Sequence, residues 1–255
     1  SKRRRGASGL RWRRAGAAQV TKERMMTQTQ VPGGQLLRLV VVRLVLGLAG
    51  FMAIFFLPAG TLRYWEAWVW LAVVFLPMLG TLVYLWNNDR ALLERRMRIR
   101  EQERAQSLFI KLSWIWFLIT FLIPGFDHRF GWSDVPHALV IAGAAVVLLG
   151  YSMFFLVMRE NSYASRVVEV EAGQKVIDTG PYALVRHPMY LAAIIMYGFT
   201  PLALGSYWAL LPSLLIFPPL LVLRIVNEEH VLRRDLPAYE AYVRKVKYRL
   251  IPGVW

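Results

Sequence analysis

The sequence predicts an all-α integral membrane protein with about six transmembrane segments, the last two forming a helical hairpin beneath a cytosolic cofactor pocket. Three observations carry that expectation. Of the 255 residues, 56% are hydrophobic and the mean hydropathy is positive, more apolar surface than a soluble domain of this size carries. The apolar residues fall into runs: Leu36–Leu57, Ala67–Trp86, Leu108–Ile123, Ala138–Met158, Tyr190–Leu204 and Tyr207–Ile225, against the roughly 20 residues a spanning helix needs. The formal charge of +15 sits in blocks between those runs. Membrane proteins distribute charge in that way, which ranks nucleic-acid binding well below membrane residence.

Residues 1–35 hold Lys2, Arg3, Arg4, Arg5, Arg11, Arg13, Arg14, Lys22 and Arg24 against the single acid Glu23. They read as a disordered basic cytosolic tail near anionic lipid, with no cleavable signal pattern and with Val31-Pro32-Gly33-Gly34 as a linker. Residues 36–158 form a four-segment transmembrane region. Its third segment is short, and Lys111 near its end can snorkel to the interface. Only Gly205-Ser206 separates the fifth and sixth segments, so these double back on each other; the fifth is short enough to stop before the far side.

Orientation follows from the loops. Arg90, Arg95, Arg96, Arg98, Arg100 and Arg104, then Arg159, Arg166, Lys175 and Arg186, and finally the basic C-terminal tail fall on one side. The other side offers little beyond Arg63 and Arg129. The positive-inside rule puts both termini in the cytosol, of a bacterial inner membrane or, in a eukaryote, the endoplasmic reticulum. Trp65, Trp68, Trp70, Trp86 and Trp132 lie near segment ends, as an aromatic belt would.

Several chemistries are excluded. There are no cysteines, so no thiolate ligand, nucleophile or disulfide exists. His128, His137, His187 and His230 are scattered, which argues against a metal enzyme. No glycine-rich dinucleotide or phosphate loop appears. Apart from Arg43 the apolar runs lack the midplane charges of a transporter.

Polar residues concentrate in residues 159–255. Arg166–Val170 and Lys175–Ile177 flank a turn-like stretch and suggest a short β-hairpin. Thr179-Gly180-Pro181-Tyr182 follows as a turn, and Pro188 suits the first turn of a helix. Arg186 and His187 thus stand at the mouth of the fifth segment. Since the last two segments double back, Glu228 and Glu229 at the end of the sixth must return to the same membrane face. Each of these residues taken alone is ordinary: a charge anchor, a belt tyrosine, a solvated helix end. Together, with glutamates where the helix dipole disfavours them, they read as a site.

The stretch from Gln174 to Tyr190, with Gly180-Pro181-Tyr182 and Arg186-His187-Pro188-Met189-Tyr190, resembles the signature of the isoprenylcysteine carboxyl methyltransferase family, including bacterial-type relatives that overlap the phospholipid N-methyltransferases. Glu228-Glu229, Tyr239-x-x-Tyr242 and Tyr248-Arg249-Leu250-Ile251-Pro252 are similar to the rest of that pattern, so about residues 160–255 are covered. The resemblance implies a methyltransferase whose cofactor is S-adenosylmethionine, held by Gln174, Val176, Gly180, Tyr182, Arg186, His187, Pro188, Tyr190, Glu228 and Glu229. It implies a lipophilic or amphiphilic acceptor: the carboxylate of a prenyl-thioether-like substrate or a lipid amine. Arg186 would fork onto the cofactor carboxylate, and tyrosine faces would attract the sulfonium.

A carboxylate acceptor is already ionised and needs only a cation to orient it, for which Arg234 is the candidate. A lipid amine needs a base, for which His187 or Glu229 would serve. The alternative enzyme is a membrane NADPH-dependent sterol or enone reductase, in which Arg244, Lys245, Lys247 and Arg249 would take the 2′-phosphate. A transporter or scaffold ranks third. The implied partners are a lipid-like small molecule and the membrane lipids.

Overall fold

In the computed structural model, residues 32–97, 104–164, 170 and 173–255 are described. The basic tail expected up to residue 35 lies outside the described residues as far as residue 31. The described residues divide into two units, one ending at Leu39 and the other spanning Val40–Trp255. Among the described residues the regular structure is all helix: α1 Gly33–Ala59, α2 Trp65–Asn88, α3 Arg90–Arg96, α4 Arg104–Phe130, α5 His137–Glu160, a 3₁₀ turn Gly180–Ala183, α6 Pro188–Ala203, α7 Leu210–Leu215, α8 Phe217–Asp235 and α9 Tyr239–Lys245. The chain is an integral membrane protein. Among the described residues four stretches are long and apolar enough to cross a bilayer: Gly33–Ala59, Trp65–Asn88, His137–Glu160 and the composite Leu210–Asp235. Helix α4 has the length at 27 residues, about 40 Å, but carries Lys111, Asp127 and Arg129. Helix α6, at 16 residues, is shorter than a bilayer core requires.

Five expectations change. Gly33-Gly34 are the first turn of α1 rather than a linker, with the Pro32 carbonyl accepting from Gln35 and Leu36 N–H groups. The first arm of the expected β-hairpin lies largely outside the described residues, and its second arm, Lys175–Ile177, is irregular. Trp70 is no belt residue: it is 3% exposed, and its indole donates to Thr200 Oγ1 at 3.0 Å. The sixth segment is not one helix but breaks at Ile216, where Pro218-Pro219 supply no backbone donors. Beyond that break α8 continues to Asp235. Glu228 and Glu229 therefore lie inside a helix, two turns before its end, and the dipole argument for them falls away.

Packing is close where small residues allow it. A Cβ on Gly143 would lie 2.9 Å from the Ala203 nitrogen, and one on Gly150 would lie 2.8 Å from Met196 Cγ, so α5 and α6 pack backbone to backbone. A Cβ on Gly125 would sit 2.7 Å from the Phe55 carbonyl oxygen, which seats α4 against α1. An aromatic core of Phe51, Phe55, Trp70, Phe117 and Phe121 fills the space between α1, α2 and α4. Arg43 does not face lipid alone; its guanidinium donates to the Met97 carbonyl at the end of α3 at 2.7 Å, where the helix dipole favours a cation.

The expected doubling back is present. Gly205, at φ +70°, makes the turn after α6, and Ser206 donates to Asp127 Oδ2 at 2.5 Å. The same carboxylate accepts from the Ser133 amide and hydroxyl, each at 2.7 Å. Tyr64 also reaches this turn, donating to the Leu204 carbonyl at 2.6 Å. The hairpin is thereby fixed at one end, and its open end lies at the start of α6 and the last turns of α8.

Candidate functional site

At that open end the chain comes together from four directions. The backbone of Arg186 and His187 donates to the carbonyls of Tyr248 and Arg249, both at 2.9 Å. The Tyr-Arg-Leu-Ile-Pro stretch near the C-terminus is thus the immediate neighbour of the Arg-His-Pro stretch. The tail closes on itself as Arg249, Leu250 and Ile251 N–H groups donate to the Trp255 carbonyl, and the Arg249 guanidinium stacks over the Trp255 ring at 5.0 Å.

Glu229, only 3% exposed, holds this junction. One carboxylate oxygen accepts from Arg186 Nε at 2.8 Å and lies 3.2 Å from His187 Nε2; the other accepts from Arg249 Nε at 3.1 Å. Arg186 is equally committed, since its Nη1 donates to the carbonyls of Val246 (2.9 Å) and Lys247 (2.7 Å). A buried carboxylate surrounded by cations stays ionised and resists removal. Glu229 and Arg186 therefore act as a rivet between α6, α8 and the tail.

Glu228 faces the other way, into a cavity of about 420 Å³. It accepts from the Tyr190 hydroxyl, and Tyr190 in turn accepts from Arg224 Nε at 3.2 Å. His187 Nδ1 stands 3.9 Å from Glu228. The opposite wall is the stretch after α5, where Asn161 donates to the Tyr182 hydroxyl at 2.9 Å. That wall is held by α3, whose Arg95 and Arg96 donate to the Ser162 and Ala164 carbonyls at 2.9 and 2.8 Å. Burial, with the charge of Glu228 adding to it and the Asn161 hydrogen bond opposing, pushes the Tyr182 hydroxyl up to about 12. Burial likewise raises Tyr239, next to the Glu229 charge, and Tyr242, whose hydroxyl donates to the Tyr182 carbonyl at 2.7 Å. These tyrosines stay protonated and serve as donors.

Of the residues singled out in the sequence, Gln174, Val176, Tyr182, Arg186, His187, Pro188, Tyr190 and Glu228 line the cavity. Gly180 does not; at φ +55° it turns the chain so tightly against Glu160 that a Cβ would lie 3.0 Å from that carboxyl carbon. Glu229 lies behind the wall. Arg234 is elsewhere: its side chain is 55% exposed and forks onto Asp235 at 2.8 and 2.9 Å. Of the basic residues that a reductase would use, Lys245 pairs with Asp178 at 2.6 Å, and Arg249 is bound to Glu229 and Trp255. Sequence reasoning missed Arg224, Arg96 and Asn161 in the cavity wall. Arg224 could have been found, since at about 100° per residue it lies roughly 40° from Glu228 around the helix while Arg234 lies about 120° away.

The apolar helices carry a charged cavity to the open end of the hairpin. Residues 138–237 match the family model described as phospholipid methyltransferase. That stretch is similar to this family, and the chain is a membrane methyltransferase. The match begins with α5 and not with the loop after it, in keeping with the tight α5–α6 packing.

Proposed function

We propose that the chain is an S-adenosylmethionine-dependent methyltransferase whose acceptor is an acidic amphiphile, working at the cytosolic membrane face with both termini in the cytosol. The observation that carries this reading is the divided glutamate pair, one carboxylate riveting the fold and the next facing an open cavity. The lining suits a zwitterionic nucleoside. Glu228 can accept from an ammonium or from ribose hydroxyls. Arg96 and Lys175 can meet a carboxylate, and the protonated tyrosines offer donors and ring faces. When bound, S-adenosylmethionine supplies an electrophilic methyl group on a sulfonium, and the protein's task is positioning.

Arg96, Lys175 and Arg224 together outweigh Glu228 in the wall, which supports an anionic acceptor over an amine. Arg224, held by Tyr190, then orients that anion beside the cofactor site, the role expected of Arg234. A carboxylate acceptor is ionised at neutral pH and needs no base. Glu229, with both oxygens bound to cations, holds Arg186 and His187 in place and does not take a proton.

Calorimetry of the detergent-purified protein tests this. S-adenosylhomocysteine should bind and NADPH should give no heat. Glu228→Gln should weaken the first by tenfold or more, about 1.4 kcal/mol, with the unfolding temperature held. Absence of S-adenosylhomocysteine binding, or an unaffected Glu228→Gln variant, overturns the reading. Transfer to acidic amphiphiles, compared with lipid amines, tests the acceptor class.

A further inference from the structure

Below Tyr190 and Arg224 the cavity continues as a slot between α6 and α8. Its walls are two facing stripes: Tyr190, Ala193 and Tyr197 descend one helix, and Glu228, Arg224, Leu221 and Phe217 descend the other. Both follow the three-and-four spacing of one helix face. The slot grades from carboxylate and guanidinium at the mouth to Ala193, Leu221 and aromatic rings at depth. It ends on a floor. Phe217 stacks on Trp116 of α4 with ring centroids 4.4 Å apart and meets Tyr197 edge-on at 5.2 Å. Trp116 is pinned in turn by its indole, which donates to the Pro212 carbonyl at 3.0 Å. Phe217 and Trp116 are 7% and 4% exposed, so the floor is closed. The break at Ile216 makes this possible: α8 restarts at Phe217, which turns that ring inward at the base of the new helix.

We infer that this slot gauges the acceptor, admitting one apolar chain whose far end abuts Phe217 while its anionic end meets Arg224. The inference rests on the methyltransferase reading for what happens at the mouth, but the gauge itself is a matter of shape. Arg224 lies seven helical steps beyond Phe217, a rise of about 10 Å, enough for roughly eight methylenes in extended form. A single-chain or short prenyl-like acid fits. A diacyl lipid, with two chains of about twice that length, does not.

The test uses the full-length protein in detergent and a series of n-alkyl thioether carboxylates from four to sixteen carbons. Binding is read by calorimetry for wild type, Phe217→Ala and Leu221→Phe, with S-adenosylhomocysteine titrated in parallel. Because all three proteins see the same free ligand, ratios between them cancel partition into micelles. Wild type and Phe217→Ala should bind chains up to about eight carbons alike. Beyond that length the ratio should favour Phe217→Ala by up to about fourfold for each added methylene until the new space is filled. Leu221→Phe should shift the wild-type cut-off to shorter chains, and it guards against a Phe217→Ala protein that fails to fold. A Phe217→Ala ratio flat over the whole series, or a Leu221→Phe cut-off equal to wild type, overturns the gauge. Loss of S-adenosylhomocysteine binding with the chain-length step intact would instead strike only the methyltransferase reading.

Discussion

The two ends of the helical hairpin each bury a carboxylate, and they treat it in opposite ways. At the turn, Asp127 is 1% exposed and takes its hydrogen bonds from neutral groups: the Ser133 amide, the Ser133 hydroxyl and the Ser206 hydroxyl. Those hydroxyls are themselves held, since Ser133 Oγ accepts from the Tyr207 N–H and Ser206 Oγ from the Ala209 N–H. At the open end the acid is met by the guanidinium groups of Arg186 and Arg249, with the His187 ring beside them, and its neighbour Glu228 is left facing a cavity. A network closed by short neutral donors fixes a turn and has nothing left to offer a ligand. A network built from long charged side chains can hold the fold with one carboxylate and present the next.

The largest effect should come from removing the rivet. Glu229→Ala leaves the buried Arg186 without its counter-charge and frees the half-buried Arg249, which costs about 3–5 kcal/mol. Thermal unfolding in detergent should show a large drop, with S-adenosylhomocysteine binding lost along with the fold. Glu229→Ala with a near wild-type unfolding temperature would mean that the two glutamates do not divide their work as described. At the turn, Asp127→Asn keeps an acceptor for the Ser133 amide and loses charge-assisted bonds to the hydroxyls, a cost of about 1–2 kcal/mol. Ligand affinity should be unchanged, because nothing at that end reaches the cavity. A binding defect in Asp127→Asn would show that the two ends are coupled through the helices.

Much of this contrast was legible in the sequence, and the illegible part has physical reasons. The Gly205-Ser206 break between two apolar runs announces the turn, and the turn forces Arg186-His187-Pro188 and Glu228-Glu229 onto one face. Which glutamate faces the cavity is not visible in a dipeptide: neighbours on a helix point about 100° apart, and the choice depends on where the C-terminal tail docks. That docking is a backbone pairing between Tyr248-Arg249 and Arg186-His187, which leaves no periodicity to read. The end of α8 was misjudged because hydrophobicity stops at Ile225 while the helix runs on to Asp235. A helix leaving the apolar layer keeps its hydrogen bonds and changes only its surface, so hydropathy marks the layer and not the helix. Phe217-Pro218-Pro219 was the overlooked signal, since two prolines inside an apolar run mark the start of a helix more naturally than its middle.

The smallest effect separates the wall of the cavity from its rivet by pH. Tyr182 loses its proton at about 12 in the fold, against 10.0 for a free tyrosine, chiefly because burial disfavours the phenolate. The unfolded chain therefore releases that proton first as pH rises. By linkage, the stabilisation tied to the Tyr182 proton is whole below about pH 10 and drains away between 10 and about 12. At pH 8 Tyr182→Phe should lose only the hydrogen bond from Asn161, about 1 kcal/mol. Above pH 10 the gap between wild type and variant should narrow, since only wild type still has that proton to lose. The variant should keep some alkaline slope, because Tyr239 and Tyr242 are raised by burial as well. A gap that stays constant from pH 8 to 11 would place the Tyr182 hydroxyl in water rather than in the wall, and would weaken the case that this side of the cavity is dry enough to favour tyrosine donors.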